Sequence, residues 1–473
     1  MRKILGSIVV LALCFSSCSK DKKKETTIEG TWQSLGNSWI LDVAKDGSYT
    51  EYDVTRVSCL VARNSHIDEF GDRLYLQNDT LKLRRGAIEY RFVRSEFLPE
   101  ACGQSLDEET ARDPIFNYEV FASTIKDNYA FFEMNNVNWD SIYRAHKKQI
   151  TASPSDITLY KVMEETFEAI NDNHGSFEAS DSIYEQWEAI EGGNEEETDA
   201  LPEIGDFQVA SAVAKNHLEN EMTRESPILQ WGEFTEGIGY IQVKAMFLYT
   251  DLGMSKDLIK TLGWEAAWQK TFNEIGEGNY IEKEREGMER VMKMAMNDLK
   301  NMDAIILDLR FNGGGQDLVS LELLSWFNDT PKLIAHESLV YNGGESPQGN
   351  IILPANEAAF TKPVYLLTSK QTGSAAEVCA MASMTLPHAT RIGMPTMGAL
   401  STALEKKLPN GWDFAISNEY YRTPSGQMYE NKGIPVDIEI PYPKDRQIFF
   451  RGVLDSLIRD KESILQVIKH FEK

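Results

Sequence analysis

The spacing of hydrophobic and polar residues changes along this chain and predicts regions with different kinds of structure. Residues 28–104 alternate apolar and polar positions between short turns, which predicts antiparallel strands. Residues 105–200 carry apolar side chains at intervals of three and four, which predicts helices. In residues 228–444 continuous apolar runs alternate with helical stretches, as they do in α/β domains whose parallel strands are buried.

The expected fold class is therefore α/β. A small antiparallel β-barrel or sandwich, vaguely similar to lipocalin-like modules of secreted lipoproteins, precedes a helical subdomain and an α/β core. The tail, residues 445–473, is predicted to be a single amphipathic helix. Its expected packing face consists of Ile448, Val453, Leu454, Ile458, Ile464 and Ile468.

A small-residue helix follows one of the apolar runs in the predicted core. Val364 to Leu367 predict a buried strand, which ends at a turn containing Gly373, and the helix begins at Ser374. A strand, a glycine turn, a serine and a helix can present a nucleophilic hydroxyl beside the N–H groups of the helix N-terminus. The same residues also fit a capping box between Ser374 and Glu377, which is purely structural.

A second strand in the core ends in a run of glycines. The segment 303–310 is apolar at its centre, and Gly313, Gly314 and Gly315 follow it before an apolar helix. Such a loop offers bare backbone N–H groups to an anion. A phosphate-binding loop is disfavoured because no Gly-Lys-Ser/Thr follows and the spacing of a dinucleotide fingerprint is absent.

Two further turns carry residues with catalytic potential. His174 lies in Asp-Asn-His-Gly-Ser, just past a predicted helix, where a side chain can be directed into a cleft. Glu430 lies in a Glu-Asn-Lys-Gly turn before a Pro-Val segment. Either turn, taken alone, is equally consistent with a structural role.

The N-terminal residues predict export. Arg2 and Lys3 precede a short apolar run and Ser16-Ser17-Cys18, so residues 1–17 are expected to be a signal peptide and residues 18–27 a polar tether. The segment before Cys18 resembles a bacterial lipobox, which implies lipidation of that cysteine; an ordinary signal peptide is the alternative. The predicted location is the periplasm or the outer membrane, with the membrane reached through the lipid anchor only.

The net charge limits the molecules that the chain is expected to bind, and the cysteines indicate whether a disulfide or a zinc site is expected. The formal net charge of −25 argues against nucleic acid as a partner. In an exported chain Cys59 and Cys102 can form a disulfide, although two free thiols are an alternative. No spacing of cysteines and histidines indicates a zinc site.

Taken together, the histidine turn DNHGSF, the strand and loop DLRFNGGG, the elbow TSKQTGSAAE and the late YENKGIPVD occur in the order found in one family. They resemble the C-terminal-processing and tricorn-core family of serine peptidases. The resemblance covers about residues 117–443 and implies a crotonase (ClpP)-like core with a helical N-terminal subdomain. It further implies that Ser374 is a nucleophile acting on peptides or unfolded proteins.

The resemblance leaves two candidates for the general base. The C-terminal-processing branch uses a lysine about 25 residues after the serine, but the corresponding residues, 395–400, contain none, and Lys406 and Lys407 come later. The tricorn-like branch uses a histidine from the helical subdomain and a late glutamate. His174 and Glu430 match those positions, so the preferred site is Ser374, His174 and Glu430, with Ser176 as a hydroxyl that could connect the last two.

The resemblance also implies an oxyanion hole made by the N–H of Ala375 and by a glycine N–H from Gly313 or Gly314, of which Gly314 is preferred. This chemistry needs no metal and no organic cofactor. A non-catalytic alternative remains, because related crotonase-like folds include carriers of lipophilic ligands. In a third possibility, binding to the envelope through the β module is the main function. The substrate and the oligomeric state are not predicted.

Overall fold

The computed structural model describes residues 27–191, 202–224, 226–250, 254–263, 266–267, 270–271 and 279–471. The predicted signal peptide and Cys18 lie outside these residues. Within the described part of the chain, no helix combines the length and the apolar character that crossing a bilayer requires.

The N-terminal module is one antiparallel sheet. Its strands are Gly30–Ser34 (β1), Trp39–Val43 (β2), Ser48–Val54 (β3), Cys59–His66 (β4), Leu74–Gln77 (β5), Thr80–Arg85 (β6) and Ile88–Arg94 (β7). They are ordered β4-β3-β2-β1-β7-β6-β5, and alternate residues such as Trp32, Leu41 and Phe92 are buried. A disulfide joins Cys59 to Cys102. The antiparallel sheet agrees with the prediction, and the barrel or sandwich form stays a prediction.

A helical region follows the module. Its elements are Glu108–Arg112 (α1), Pro114–Asn128 (α2), Trp139–Ala152 (α3), Asp156–Ile170 (α4), Ser176–Glu178 (β8) and Asp181–Glu191 (α5). The side chains of Asp113 and Ser155 accept hydrogen bonds from the first N–H groups of α2 and α4. Asn171, in the left-handed conformation, ends α4 and begins the turn that carries His174.

The remaining elements are, in chain order, Asp206–His217 (α6), Asn220–Glu221 (β9), Leu229–Thr235 (β10), Ile238–Val243 (β11), Lys256–Leu262 (α7), Tyr280–Leu299 (α8), Ala304–Asp308 (β12), Asp317–Ser325 (α9), Lys332–Tyr341 (β13), Gly344–Glu345 (β14), Gly349–Leu353 (β15), Val364–Thr368 (β16), Ala375–Ser383 (α10), Ala389–Gly393 (β17), Ala403–Lys407 (β18), Asp413–Ser417 (β19), Glu419–Arg422 (β20), Ile438–Glu439 (β21), Arg446–Leu454 (α11) and Leu457–Phe471 (α12).

The central sheet has the order β21-β17-β16-β12-β11-β10-β9, with parallel pairing from β21 to β11. All residues of β12 and β16 are buried. Ile305 and Leu307 pack into one hydrophobic cluster with α8, α9 and α10, whereas Ile306 packs into another with residues of α6 and α12. Helices therefore cover both faces of the sheet, which explains why these strands are apolar without alternation.

The C-terminal tail differs from the prediction of one helix. Helix α11 ends at Leu454 and α12 begins at Leu457. Ile448 and Ile458 are 62% and 68% exposed, while Phe449 and Phe450 are buried beside Phe311. The break between the two helices changes which residues face the core. The packing face expected for one continuous helix therefore includes two residues, Ile448 and Ile458, that lie on the surface.

Buried ion pairs connect α12 of the C-terminal tail to the central sheet. Arg310, at the end of β12, pairs with Asp308 at 2.7 Å and with Asp460 of α12 at 2.8 Å. His217 of α6 contacts the same Asp460 at 2.9 Å. Burial alone would raise the pKa of Asp460, but the Arg310 charge and the hydrogen bond from His217 lower it to about 2. The pairing anchors α12 close to the start of the glycine loop.

The N-terminal module packs directly against the core. Lys406 of β18 donates to the carbonyl oxygen of Asn37 at 2.8 Å and forms an ion pair with Asp53. Tyr90 of β7 donates to Glu419 of β20 at 3.1 Å. These contacts are buried, so the module is part of the structure that surrounds the core rather than a separate appendage.

Candidate active site

Ser374 lies on a sharp turn between β16 and α10. Its φ and ψ angles are 50° and −126°, a region that non-glycine residues rarely occupy. The backbone N–H of Ser374 donates to Glu377 Oε2 at 3.2 Å. Such a turn exposes a side chain above the end of a strand, as nucleophile elbows do. Backbone strain at this one serine favours the functional interpretation over a simple helix cap.

The glycine loop packs against this elbow. Asn312 donates to the carbonyl oxygen of Val243 at 3.1 Å, and its own backbone oxygen accepts from Gly373 N at 3.1 Å. Gly314 has a φ of +114°, and a Cβ placed there would lie 2.6 Å from the Ser374 Cβ. Only glycine allows the loop to approach the serine this closely.

The backbone N–H groups near Ser374 differ in whether they already have a hydrogen-bond acceptor. The Gly314 N–H donates to the side-chain oxygen of Asn312 at 2.9 Å. The N–H groups of Gly313 and Ala375 make no hydrogen bond within the described part of the chain. Of the three predicted oxyanion donors, Gly313 and Ala375 are therefore the two whose N–H groups have no acceptor among the described residues.

Polar contacts hold the His174 turn against the core. Asp172 accepts from the Ser417 backbone N–H at 2.8 Å, from the Ser417 hydroxyl at 2.6 Å, and from the His174 N–H at 3.0 Å. His174 Nδ1 lies 2.5 Å from the carbonyl oxygen of Ser401. Because a carbonyl only accepts, Nδ1 carries the proton, and Nε2 of the neutral ring is left as an acceptor.

Ser374, His174 and the glycine loop line one cleft of about 690 Å³. Phe207, Phe247 and Phe311 form much of its wall. The structure thus brings together residues that are 200 positions apart in the sequence, and it leaves an apolar surface beside them on which a peptide side chain can lie.

Glu430 lies behind the cleft and does not line it. Its Oε2 accepts from the backbone N–H groups of Leu400 and Ser401, both at 3.0 Å. Burial raises the pKa of Glu430 to about 8. The connection from Glu430 to His174 therefore runs through the backbone of Ser401. Ser176, suggested as a bridging hydroxyl, is exposed on β8.

The two candidate lysines are directed elsewhere. Lys406 is buried against Asp53 of the N-terminal module, and Lys407 pairs with Asp413 on the surface. A different lysine, Lys244, does line the cleft, but its ammonium donates to the carbonyl oxygen of Pro227 at 2.8 Å. Burial lowers the pKa of Lys244.

Sequence reasoning missed some of the supporting residues. Asp172 and Ser401 hold His174, and neither stands out in the sequence, although Asp172 is only two positions from the histidine. For Glu377 the sequence indicates only a helix-capping role. Among the described residues, no group of three His, Cys, Asp or Glu side chains is arranged to hold a metal ion.

Family comparisons match two parts of the chain. Residues 237–440 match the model of Peptidase family S41, and residues 112–168 match that of the Tricorn protease C1 domain. The first match contains Ser374, Glu430 and the glycine loop, and the second covers α2 to α4, which precede His174.

Two curated relatives and two solved structures are similar to the chain. Carboxyl-terminal-processing peptidase 2 of Arabidopsis thaliana is 28% identical over 152 residues, which are 32% of this chain and 28% of that protein. Carboxy-terminal processing protease CtpA of Bacillus subtilis is 27% identical over 144 residues, 30% of each. The chain thus matches less than a third of the length of both relatives.

The solved structures show a similar fold. A candidate peptidase of Parabacteroides merdae has a TM-score of 0.50 at 19% identity, covering 73% of this chain and 96% of its own. Mature CPAF has a TM-score of 0.51 at 11% identity, covering 77% and 99%. These two structural similarities concern the fold alone, whereas the family models relate residues 237–440 to the serine peptidases of Peptidase family S41 and residues 112–168 to the Tricorn protease C1 domain.

Proposed function

We propose that this chain is a serine endopeptidase that hydrolyses peptides or unfolded proteins in the cell envelope through an acyl-enzyme. The observation that carries the proposal is the shared cleft of Ser374 and His174, in which the histidine is held in the tautomer that a general base needs. The names of the curated relatives describe carboxyl-terminal processing, and substrates of that kind are included in the proposal.

His174 acts first as a base and then as an acid in this proposal. Its Nε2 takes the hydroxyl proton while Ser374 Oγ attacks the scissile carbonyl carbon. The same proton then passes to the leaving amine, and the acyl-enzyme forms. A water molecule, activated by the same nitrogen, hydrolyses the ester and restores Ser374.

The tetrahedral oxyanion is held by backbone N–H groups. We assign this role to Ala375 and Gly313, because the Gly314 N–H already donates to Asn312. Gly314 instead allows the loop to approach Ser374 closely, because it has no Cβ. Losing one donor of an oxyanion hole lowers kcat by about 10²–10³.

Glu430 supplies charge to the histidine indirectly. Since burial raises its pKa to about 8, the carboxyl is protonated and neutral at lower pH, and ionises as the pH passes this value. An ionised Glu430 stabilises the imidazolium that forms during attack. We therefore expect kcat/KM to rise about tenfold, or about 1.4 kcal/mol in the barrier, between pH 7 and 9.

The variant Glu430→Gln tests this pH dependence. Glutamine stays neutral, so the rise of kcat/KM between pH 7 and 9 should disappear. The kcat/KM of the variant should stay near the value that the wild type has at low pH. A raised pKa in the folded state also means that stability falls as the pH rises from about 4.5 to 8. The variant should therefore lose less thermal stability than the wild type over this range. A rise in kcat/KM that persists in the variant would assign it to another group.

The proposed domain organisation includes a lipid anchor. Residues 1–17 are the signal peptide, Cys18 the lipidated residue and residues 18–27 the tether, followed by the β module, 28–104, the helical subdomain, 105–200, and a crotonase-like core, 228–444. The basic start, the apolar run and the cysteine after small residues support it. The enzyme would then work at a membrane surface of the envelope.

A fluorophosphonate probe tests the central claim directly. The probe should label the folded chain at Ser374, found by mass spectrometry of the modified peptide, and His174→Ala should slow labelling. A chain already denatured serves as the control and should not react. Absence of labelling in a folded chain would favour the non-catalytic carrier.

A further inference from the structure

Glu377 is a buried carboxylate in contact with the backbone of the proposed nucleophile. Its side chain is fully inaccessible to solvent. One oxygen, Oε2, accepts from Ser374 N at 3.2 Å and from Ala399 N at 2.7 Å. The other, Oε1, accepts from the Thr396 hydroxyl at 2.6 Å and from Gly398 N at 2.7 Å. Four donors converge on it, more than a helix cap needs.

Three of those donors belong to a single segment, residues 396–401, which we call the histidine-docking loop. Its Ser401 carbonyl accepts from His174 Nδ1, and its Gly398 carbonyl accepts from the Asn173 side chain at 3.3 Å. Within the described part of the chain, the hydrogen bond between the His174 ring and the core thus comes from this loop, whereas Ser417 holds the turn through Asp172. Glu377 therefore lies between the serine backbone and the loop that holds the histidine.

The loop is also held at its other end. Glu430 accepts from Leu400 N and Ser401 N, so two buried carboxylates bind consecutive N–H groups of the same loop. Thr396 Oγ1 accepts from Ile434 N at 2.6 Å, which connects Glu377 to the turn that carries Glu430. On the outer side, Lys370 donates to the Thr396 carbonyl at 2.7 Å.

We propose that Glu377 is a positioning residue for the reaction, which holds the histidine-docking loop at the distance from Ser374 that proton transfer requires. It touches neither the substrate nor the reacting atoms, and it acts through Ser374 N and through the loop. This inference rests on the proposed function and adds to it a second carboxylate with a role distinct from that of Glu430.

The two carboxylates are also coupled electrostatically. Burial is the largest cause of the raised pKa of Glu430, and an ionised Glu377 raises it further, as does Asp172. Burial also raises the pKa of Glu377 itself, against which its four hydrogen-bond donors act. Lys370 is the cation that faces Glu377 from the elbow. Removing the Glu377 charge should therefore move the ionisation of Glu430 to lower pH.

The test compares Glu377→Gln with the wild type. Glutamine has nearly the shape of glutamate, but its amide NH₂ cannot accept hydrogen bonds from the N–H donors that it faces. The histidine-docking loop should therefore shift. We expect kcat to fall about 10²-fold, as a displacement of about 1 Å can cause, with KM within a factor of two. The rise of kcat/KM with pH should also move to lower pH. The kcat is calculated per site titrated with the phosphonate probe, so unfolded molecules do not count.

Two further variants separate positioning from general stability. Thr396→Val removes one bond to Glu377 and the acceptor of Ile434 N but keeps the Glu377 charge, so kcat should fall less and the pH rise should not move downward. Glu322→Gln changes a buried glutamate that pairs with Arg285 on α8, at 3.1 Å, away from the loop. It should lower thermal stability and leave kcat per titrated site and the pH profile unchanged.

The outcomes distinguish this inference from the proposed function. If Ser374→Ala is inactive while Glu377→Gln keeps its kcat per site and its pH profile, the positioning role is overturned and the peptidase stands. If Glu377→Gln fails to fold, Thr396→Val decides: an unchanged kcat overturns the role. If Ser374→Ala retains activity, the proposed function itself fails.

Discussion

Replacing Ser374 by alanine is expected to abolish peptide hydrolysis, with kcat falling by a factor of about 10⁴ or more. The acyl-enzyme cannot form without the hydroxyl oxygen, and His174 then has no proton to accept. The measurement is turnover of an unfolded protein or of a quenched fluorescent peptide by purified full-length chain. Residual hydrolysis near the wild-type rate would contradict the assignment of the nucleophile.

The backbone at this position supplies a control. Alanine meets the same strain as serine at a φ of 50° and a ψ of −126°, so Ser374→Ala should unfold at nearly the wild-type temperature. Glycine occupies this region freely, so Ser374→Gly should be equally inactive but more stable by about 1–2 kcal/mol. Inactivity together with retained or increased stability excludes unfolding as the cause of the loss.

The second large effect is expected from His174→Ala, which should lower kcat by about 10²–10⁴ because the general base is lost. Lys406→Ala should leave kcat per folded molecule unchanged. Its expected effect is on stability: the partly buried carboxylate of Asp53 loses its buried partner, at a cost of up to about 3 kcal/mol. Activity and thermal unfolding of both variants should be measured side by side.

Lys407→Ala is the matched control for the lysine variant. This side chain is more than half exposed and pairs with Asp413 at the surface, so its loss should change stability by less than about 1 kcal/mol. Should Lys406→Ala be folded yet inactive, while His174→Ala retains activity, the general base would be a lysine and the assignment to the tricorn-like branch would be wrong.

If His174 is the general base, as proposed, activity depends on contact between two regions of the chain. The histidine turn follows α4 of the helical region, but its partners, the acceptor Ser401 and the donor Ser417, belong to the core. A substitution that weakens this contact should lower kcat before it lowers the stability of the central sheet. Asp172 is the residue through which such an effect would be most direct, since it bonds both His174 and Ser417.

Local features of the site could be read from the sequence because they depend on neighbouring residues. A continuous apolar run, then glycines, then a helix is enough to predict the loop after β12 and the elbow before α10. The same holds for α4 and for the turn that follows it. The choice of Ser374 and His174 over other residues rested on the resemblance of four segments to one family, and the structure brings both residues to one cleft.

Contacts between segments that are far apart in the sequence could not be predicted from local patterns. Whether Lys406 faces Ser374 or Asp53 depends on how the N-terminal module packs on β18, some 350 residues away in the chain. Likewise, only the fold shows that Glu430 reaches His174 through the backbone of Ser401, and that Gly314 donates to Asn312.

The sequence by itself determined the kinds of elements and their order, because periodicity and turn chemistry act over a few residues, and its resemblance to one family implied the candidate nucleophile and base. Only the tertiary structure decided the partners of buried charged groups: Glu377, Glu430, Lys406 and Asp460. A buried charge is stable where several donors or an opposite charge converge on it, and those groups come from elements that meet only when the chain is folded.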